Sequence, residues 1–253
     1  MPKGSEELTN ARKEEIIDAC AALYETVGFK DITIREIGER TSFTRTSIYN
    51  YFQTKEEIFL ALLQREHESW IAELEDLIRQ NARLSVEEFA DRLAGTLERR
   101  ECMLKLESMN LYDMEGSSRM ENLVAFKRVY AAAIGAFTRC LEQFFPAMTA
   151  GDIQDFIYAF FPFLFGVYPY AVPTAKQREA MELAHVDYAR YSIYEITRSF
   201  VIKMLRPFQE EYKREKQRCA GRSEEDLPAL MTAEQDRAGR SMAAHLCAVH
   251  LDH

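Results

Sequence analysis

Four side chains within six residues, Arg45, Thr46, Tyr49 and Asn50, offer a guanidinium, a hydroxyl, a phenol and a carboxamide. Such groups supply the donors and acceptors that read DNA base edges and phosphates. Their spacing places them on one side of a short helix, because Ile48 and Phe52, four apart, share the other side. The neighbouring residues bound that helix. Thr33-Ile34-Arg35-Glu36 is a capping box that opens a preceding short helix, with Ile34 and Ile37 as its apolar face. Thr41-Ser42-Phe43 breaks it, and Thr44 is placed to cap the next. Thr54-Lys55-Glu56-Glu57 repeats the capping-box pattern and opens a long helix, whose N-terminus with Lys55 favours an anion. Two short helices across a tight turn, followed at once by a third, make a helix-turn-helix layout.

The elements that must hold this unit also read as helical. After a polar leader over residues 1–9, a first helix is expected from about Asn10 to Val27. Ile16, Cys20, Leu23 and Val27 recur at helical spacing, and Gly28 is placed as a left-handed cap. From Lys55 no breaker occurs until about Asn81. Ile58, Phe59, Leu62 and Leu63 face the first unit, and Trp70, Leu74, Leu77 and Ile78 carry the stripe into a different neighbourhood. At ~1.5 Å per residue this helix is roughly 40 Å long, a lever between two regions. Ser85 to Glu88 is another capping box, for a helix over about 86–99. Glu101 to Tyr112 is expected as a sixth helix, and Gly116-Ser117-Ser118 as a break. A long helix then runs from Arg119 to Phe145, stopped by Pro146.

Residues Phe156 to Pro173 carry no charge over 18 positions, the length of a membrane span. Pro162, Pro169 and Pro173, with three tyrosines, argue against lipid, because the prolines free backbone groups that lipid cannot satisfy. The segment reads instead as a helix buried on both sides, against its own pocket and a second subunit, and kinked at Pro162. Residues 174–187 read as a connector or short helix. Tyr188 to Arg206 forms a last helix with two stripes, which suits a four-helix dimer interface, and Pro207 ends or kinks it. The composition therefore predicts an all-α chain. An N-terminal three-helix domain (1–54) precedes a C-terminal helical domain (55–208) and a mobile or loosely helical tail (209–253).

Ten glycines and seven prolines in 253 residues agree with that class. The net charge of −9 argues against non-specific coating of nucleic acid. Residues 1–60 carry eight basic side chains against eleven acidic ones, so the cations must be segregated onto one face. The five cysteines are odd in number and without a CxxC pair, which predicts a reduced, cytoplasmic protein with inert buried thiols. No nucleophile elbow, phosphate loop, HExxH or aspartate-rich pattern occurs, so no enzyme and no cofactor are expected. His245, Cys247, His250 and His253 have ligand-like spacing, but a terminal cluster without a second cysteine pair assigns no metal.

The run TIREIGERTSFTRTSIYNYFQTKEEIF, with TNARKEEIIDACAALYETVGF before it, resembles the DNA-binding domain of the tetracycline-repressor (TetR) family. IYNYFQTKEEIF is its most specific part, an aromatic-rich end to the recognition helix running through a lysine into the fourth helix. LKLESMNLYDMEG and GVYPYAVPT resemble one subgroup's ligand-binding domain. This chain has Ser42 where many members have glycine. The resemblance implies a homodimeric, ligand-released repressor on a palindromic operator in double-stranded DNA; the alternative is a ligand-independent DNA-bound scaffold or co-regulator. It implies base contacts from Arg45, Thr46 and Asn50, and phosphate contacts from Thr33, Tyr49, Tyr51 and Lys55. Trp70, Met103, Leu106, Glu107, Asn110, Phe126, Tyr130, Phe160 and Tyr168 are the candidate pocket for a small, mainly apolar effector.

Overall fold

Helices account for every regular element among residues 3–220, the part of the chain that the computed structural model describes. The chain divides into two compact units, Met1–Pro207 and Phe208–His253.

Helix α1 (Lys3–Tyr24) starts seven residues earlier than the apolar spacing predicts and ends three earlier. Its exit needs no left-handed cap. Val27 N–H bonds Leu23 O at 2.9 Å and Asp31 N–H bonds Gly28 O at 3.0 Å, and no described glycine has positive φ. Phe29 then folds back edge-on to Phe59, with centroids 4.8 Å apart. Helix α2 (Ile34–Gly38) opens on the Thr33–Glu36 box as expected. Helix α3 (Arg45–Ile48) opens on Thr44 without a side-chain cap, because that hydroxyl pairs with Ser47 Oγ at 3.1 Å instead. Ile16, Cys20, Ile37, Ile48, Ile58 and Phe59, all fully buried, form the core of this N-terminal bundle.

Helix α4 (Lys55–Gln80) is unbroken over 26 residues, about 39 Å. Only half of its predicted capping box forms. Thr54 Oγ1 accepts from Glu57 N–H, but the Glu57 carboxylate is taken by Gln53 N–H and Arg119. Helices α5 (Val86–Glu98) and α6 (Glu101–Glu107) follow. The expected helix to Tyr112 stops at Glu107 and gives way to a π-helical turn, Asn110–Met114, and a 3₁₀ turn, Glu115–Ser117. Helix α7 (Met120–Phe144) runs alongside α4 in the same direction. Residues 57, 67 and 78 of α4 meet 119, 126 and 143 in order.

Helix α8 (Ala150–Ala171) contains both Pro162 and Pro169. It buries Phe156, Phe160, Phe161, Leu164 and Val167, and Phe160 stacks on Phe137 of α7 at 4.5 Å. Among the described residues, Tyr158, Pro162, Pro169 and Tyr170 on its other side are exposed, the side expected to face a second subunit. No single helix among the described residues is long and apolar enough to cross a membrane. Helix α9 (Ala175–Leu183) has no buried residue. Helix α10 (Ile193–Ala220) starts later than predicted and continues through Pro207. Pro207 and Lys203, whose carbonyl loses its donor, are both exposed, so solvent can serve that carbonyl. His245, Cys247, His250 and His253 lie outside the described residues.

Candidate functional site

The outward face of α3 is built by what lies beneath it. Ile48 is fully buried and Phe52 nearly so, while Arg45, Thr46, Tyr49 and Asn50 are all exposed. Gly38 sets how closely α2 and α3 approach: a methyl there would lie 3.2 Å from Arg45 Cα and 3.3 Å from Ile48 Cδ1. The turn between them is pinned from α1, because the Ser42 N–H and hydroxyl both donate to the Glu15 carboxylate. Ser42 therefore holds this turn without glycine's conformational freedom. Among described non-glycine residues only His185 has positive φ.

Acidic groups nearby are largely engaged. Glu15 holds Ser42, Glu36 caps α2, Glu14 and Asp18 pair with Arg65, and Glu57 pairs with Arg119. No hydrogen bond or ion pair to a described residue occupies Arg45. An acidic domain thus leaves a cationic side chain free on one surface.

The flanking candidates are placed differently from one another. Thr33 Oγ1 is used within its capping box. Tyr51 is half-buried, its hydroxyl accepting from Arg12 at 3.4 Å and its ring 6.5 Å from Phe43. Lys55 turns inward: its ammonium donates to the carbonyls of Phe29, Lys30 and Ile32 at 2.7, 3.3 and 3.0 Å and lies over the Phe29 ring. With three acceptors around it, that side chain closes the loop between α1 and α2 rather than reaching outward.

The second cluster lies along α4. His67 Nε2 and Glu107 Oε1 are 2.6 Å apart with both side chains buried. Rings of Trp70, Phe126 and Tyr130 lie about His67, with centroids 6.3, 5.9 and 5.9 Å away. Trp70 donates to Thr96 Oγ1 at 3.1 Å. Burial pushes the Tyr130 phenol up to about 12, and the Glu107 and Glu115 charges push the same way. Asn110, buried on the π-turn, donates to Glu115 Oε1 at 3.1 Å, and Lys127 also reaches that oxygen at 2.7 Å. His67 Nδ1, Glu107 Oε2 and Asn110 Oδ1 are buried without a hydrogen-bond partner.

The profile of bacterial regulatory proteins of the tetR family matches residues 16–62, and that of the tetracyclin repressor-like C-terminal domain matches residues 64–206. The chain belongs to the TetR family. It is a helix-turn-helix transcriptional regulator. The uncharacterized regulator YfiR of Bacillus subtilis is 26% identical over 97 residues, 38% of this chain and 47% of that protein. An HTH-type transcriptional repressor of Mycobacterium tuberculosis is 30% identical over 72 residues, 28% of this chain and 38% of its own. The chain thus matches less than half the length of either curated relative. Among solved structures, a tetR-family regulatory protein from Rhodococcus aligns with a TM-score of 0.51 at 17% identity, covering 77% of this chain and 95% of that one. A fatty acid degradation regulator from Bacillus halodurans aligns at 0.50 and 15%, covering 77% and 94%. At such identities these two likenesses speak for the fold.

Within this TetR-family frame, the structure gathers Trp70, Glu107, Phe126 and Tyr130 around His67, a residue the sequence reading did not single out, and Asn110 lies on the π-turn that follows α6. Met103 and Leu106 are fully buried on α6. Phe160 packs one layer away on Phe137, and half-buried Tyr168 reaches Glu101 at 3.4 Å. An apolar cleft of about 390 Å³ lies elsewhere, lined by Phe163, Gly166, Val167, Tyr170, Tyr188, Ala189, Tyr191 and Ile196. None of its lining residues was a candidate. Burial pushes the thiols of Cys20, Cys102 and Cys140 up to about 12, which suits packing rather than redox sensing.

Proposed function

We propose that this regulator is a homodimeric repressor that leaves a palindromic operator when a small, mainly apolar effector enters the α4–α8 core. The observation that carries the reading is α4 itself. One unbroken helix is rooted beside the exposed Arg45–Asn50 face and carries His67 and Trp70 in the aromatic core some 20 Å away by its rise. A ligand that shifts α4 therefore changes the spacing of two recognition helices, which must stand about 34–36 Å apart for successive major grooves. Only unequal affinity for the two states drives such a shift.

Arg45, Thr46 and Asn50 contact bases in this reading, and Tyr49 and Tyr51 contact phosphates. Thr33 and Lys55, the other two phosphate candidates, contribute through the helix starts where they stand, the exposed Thr33 hydroxyl being used in its capping box and the Lys55 ammonium turned inward. Residues 1–54 are the DNA-binding part, 55–208 the effector and dimerisation part, and 209–253 a tail, all acting in the cytoplasm. The exposed face of α8, with the half-buried Ile196 and Phe200 of α10, supplies the subunit contact.

A gel shift on the DNA upstream of the chain's own gene tests this, followed by a salt titration and a set of small apolar compounds. Specific binding that weakens steeply with salt and is released by one compound is expected. Binding that no compound alters favours the ligand-independent scaffold. Absence of specific binding to that DNA or to sites selected from random duplexes overturns the reading.

A further inference from the structure

The effector core contains polar atoms that its own side chains leave unserved. Glu107 Oε2 and Asn110 Oδ1 have no partner, and both residues are 1% exposed. A carboxylate oxygen and an amide oxygen only accept, so what this place lacks is a donor. His67 Nε2 holds Glu107 Oε1 at 2.6 Å, which leaves Oε2 as the free oxygen of that carboxylate. A buried group left unsatisfied destabilises the fold, which marks these atoms as awaiting something. The π-turn that carries Asn110 belongs to a class of helical irregularity frequent at functional sites.

The surroundings choose among donors. An anionic head would set its charge against Glu107. An alcohol brings one O–H to two acceptors. A protonated amine brings two or three N–H groups and the opposite charge. The rings of Trp70, Phe126 and Tyr130 lie around His67, the partner of Glu107, and ring faces attract ammonium groups. Their outer side already holds one: Lys127 Nζ lies 5.5 Å from the Phe126 centroid and 5.6 Å from that of Tyr130.

We propose that His67, Glu107 and Asn110 form the polar end of the effector site and that its occupant is a protonated primary or secondary amine on an apolar body. The inference rests on the effector reading above and narrows it. Glu107 Oε2 and Asn110 Oδ1 accept from the ammonium, and the apolar body lies among the aromatic rings along α4 and α7.

Trp70, the single tryptophan of the chain, stands beside this cluster and reports on it. Octylamine, octan-1-ol and octanoate are titrated separately into the full-length protein while Trp70 emission is followed, and operator release is measured in parallel. Octylamine is expected to shift the emission and bind about tenfold or more tighter than the alcohol, with octanoate weakest, given the worth of hydrogen bonds to charged groups. Glu107→Gln keeps the shape and a link to His67, and is expected to remove that preference while its circular dichroism melt stays cooperative. The wild-type ranking tests the proposal independently of how the variant folds. Tighter binding of the alcohol or octanoate, with release of DNA, overturns the amine assignment and leaves the apolar-effector reading standing. Octylamine binding equally to wild type and a folded Glu107→Gln overturns the assignment alone. Silence of Trp70 toward all three, with operator binding intact, overturns both.

Discussion

Arg45 stands exposed at the first position of α3 with no described partner. A good bidentate contact from a guanidinium to a guanine edge is worth about 1–3 kcal/mol of discrimination. Arg45→Ala is therefore expected to lower the preference for operator over random DNA about tenfold or more, with the melting temperature unchanged. Competition gel shifts against scrambled duplex check this, and an unchanged specificity ratio would sink the assignment. Gly38 makes the opposite kind of case. Alanine raises helix propensity by about 1 kcal/mol, yet its methyl would press on the Arg45 backbone at 3.2 Å. Backbone cannot rotate away as a side-chain tip can, so Gly38→Ala is expected to displace α3 and weaken operator binding several-fold while the protein stays folded. The exposed face was legible in the sequence because helical spacing alone separates Ile48 and Phe52 from Arg45, Thr46, Tyr49 and Asn50. Lys55 was not, because its three carbonyl acceptors come from the path of a loop 23 to 26 residues away.

Helix starts were the most legible elements, since a capping box is local: of the three expected, Thr33–Glu36 and Ser85–Glu88 form in full and Thr54–Glu57 by half. Their pairing across space was not, and the contact between α4 and α7 shows why. Arg119, the N-cap residue of α7, donates to both oxygens of Glu57 in the first turn of α4 and to the Tyr51 carbonyl at the end of the recognition segment. Thr54 also reaches the Ser117 carbonyl at 3.3 Å. No periodicity encodes a bond between residues 62 positions apart. Arg119 thus straps the segment after the π-turn to the DNA-binding bundle. Burial works to raise the Glu57 carboxyl, but the hydrogen bonds from Arg119 and from the Gln53 and Arg119 amides outweigh it and hold it below the usual range. A carboxylate lowered on folding stabilises the native state above its unfolded value, and the contribution is lost as pH falls through the folded value. Arg119→Ala is expected to lose about 1–3 kcal/mol at neutral pH. It should also lose less further stability than wild type on acidification from about pH 5 to pH 3. Denaturant melts across that range decide it: parallel acid limbs for the two proteins would mean the strap does not set the Glu57 proton.

At the scale of the molecule, α8 exposes an apolar stripe among the described residues. Tyr158 is 73% exposed and Tyr170 70%, and Pro162 and Pro169 stand beside them on the open side of α8. Positions 158, 162, 165 and 169 fall three and four apart, so they form one stripe along the helix. The composition of residues 156–173 shows that this helix is apolar all round but cannot show which side is filled from within. That is fixed by where Phe137 of α7 and Phe200 of α10 stack on Phe160 and Phe163. A stripe of this kind pairing with its own copy about a two-fold axis makes every substitution count twice, because the same patch serves both subunits. Tyr158→Asp would place a carboxylate on each side of that contact, desolvated and facing apolar rings. It leaves the interior of the subunit untouched, since the side chain meets solvent in the single chain. The variant is expected to dissociate at concentrations about tenfold higher than wild type or more, as burying an unpaired charge demands. Operator affinity should fall with it, because one subunit alone offers a single recognition helix to one groove. Sedimentation over a dilution series, with gel shifts at matched concentrations, separates the two effects. A variant that stays as dimeric as wild type would move the subunit contact off this stripe of α8. A monomer that still binds a full operator as tightly as wild type would remove the need for two-fold spacing altogether.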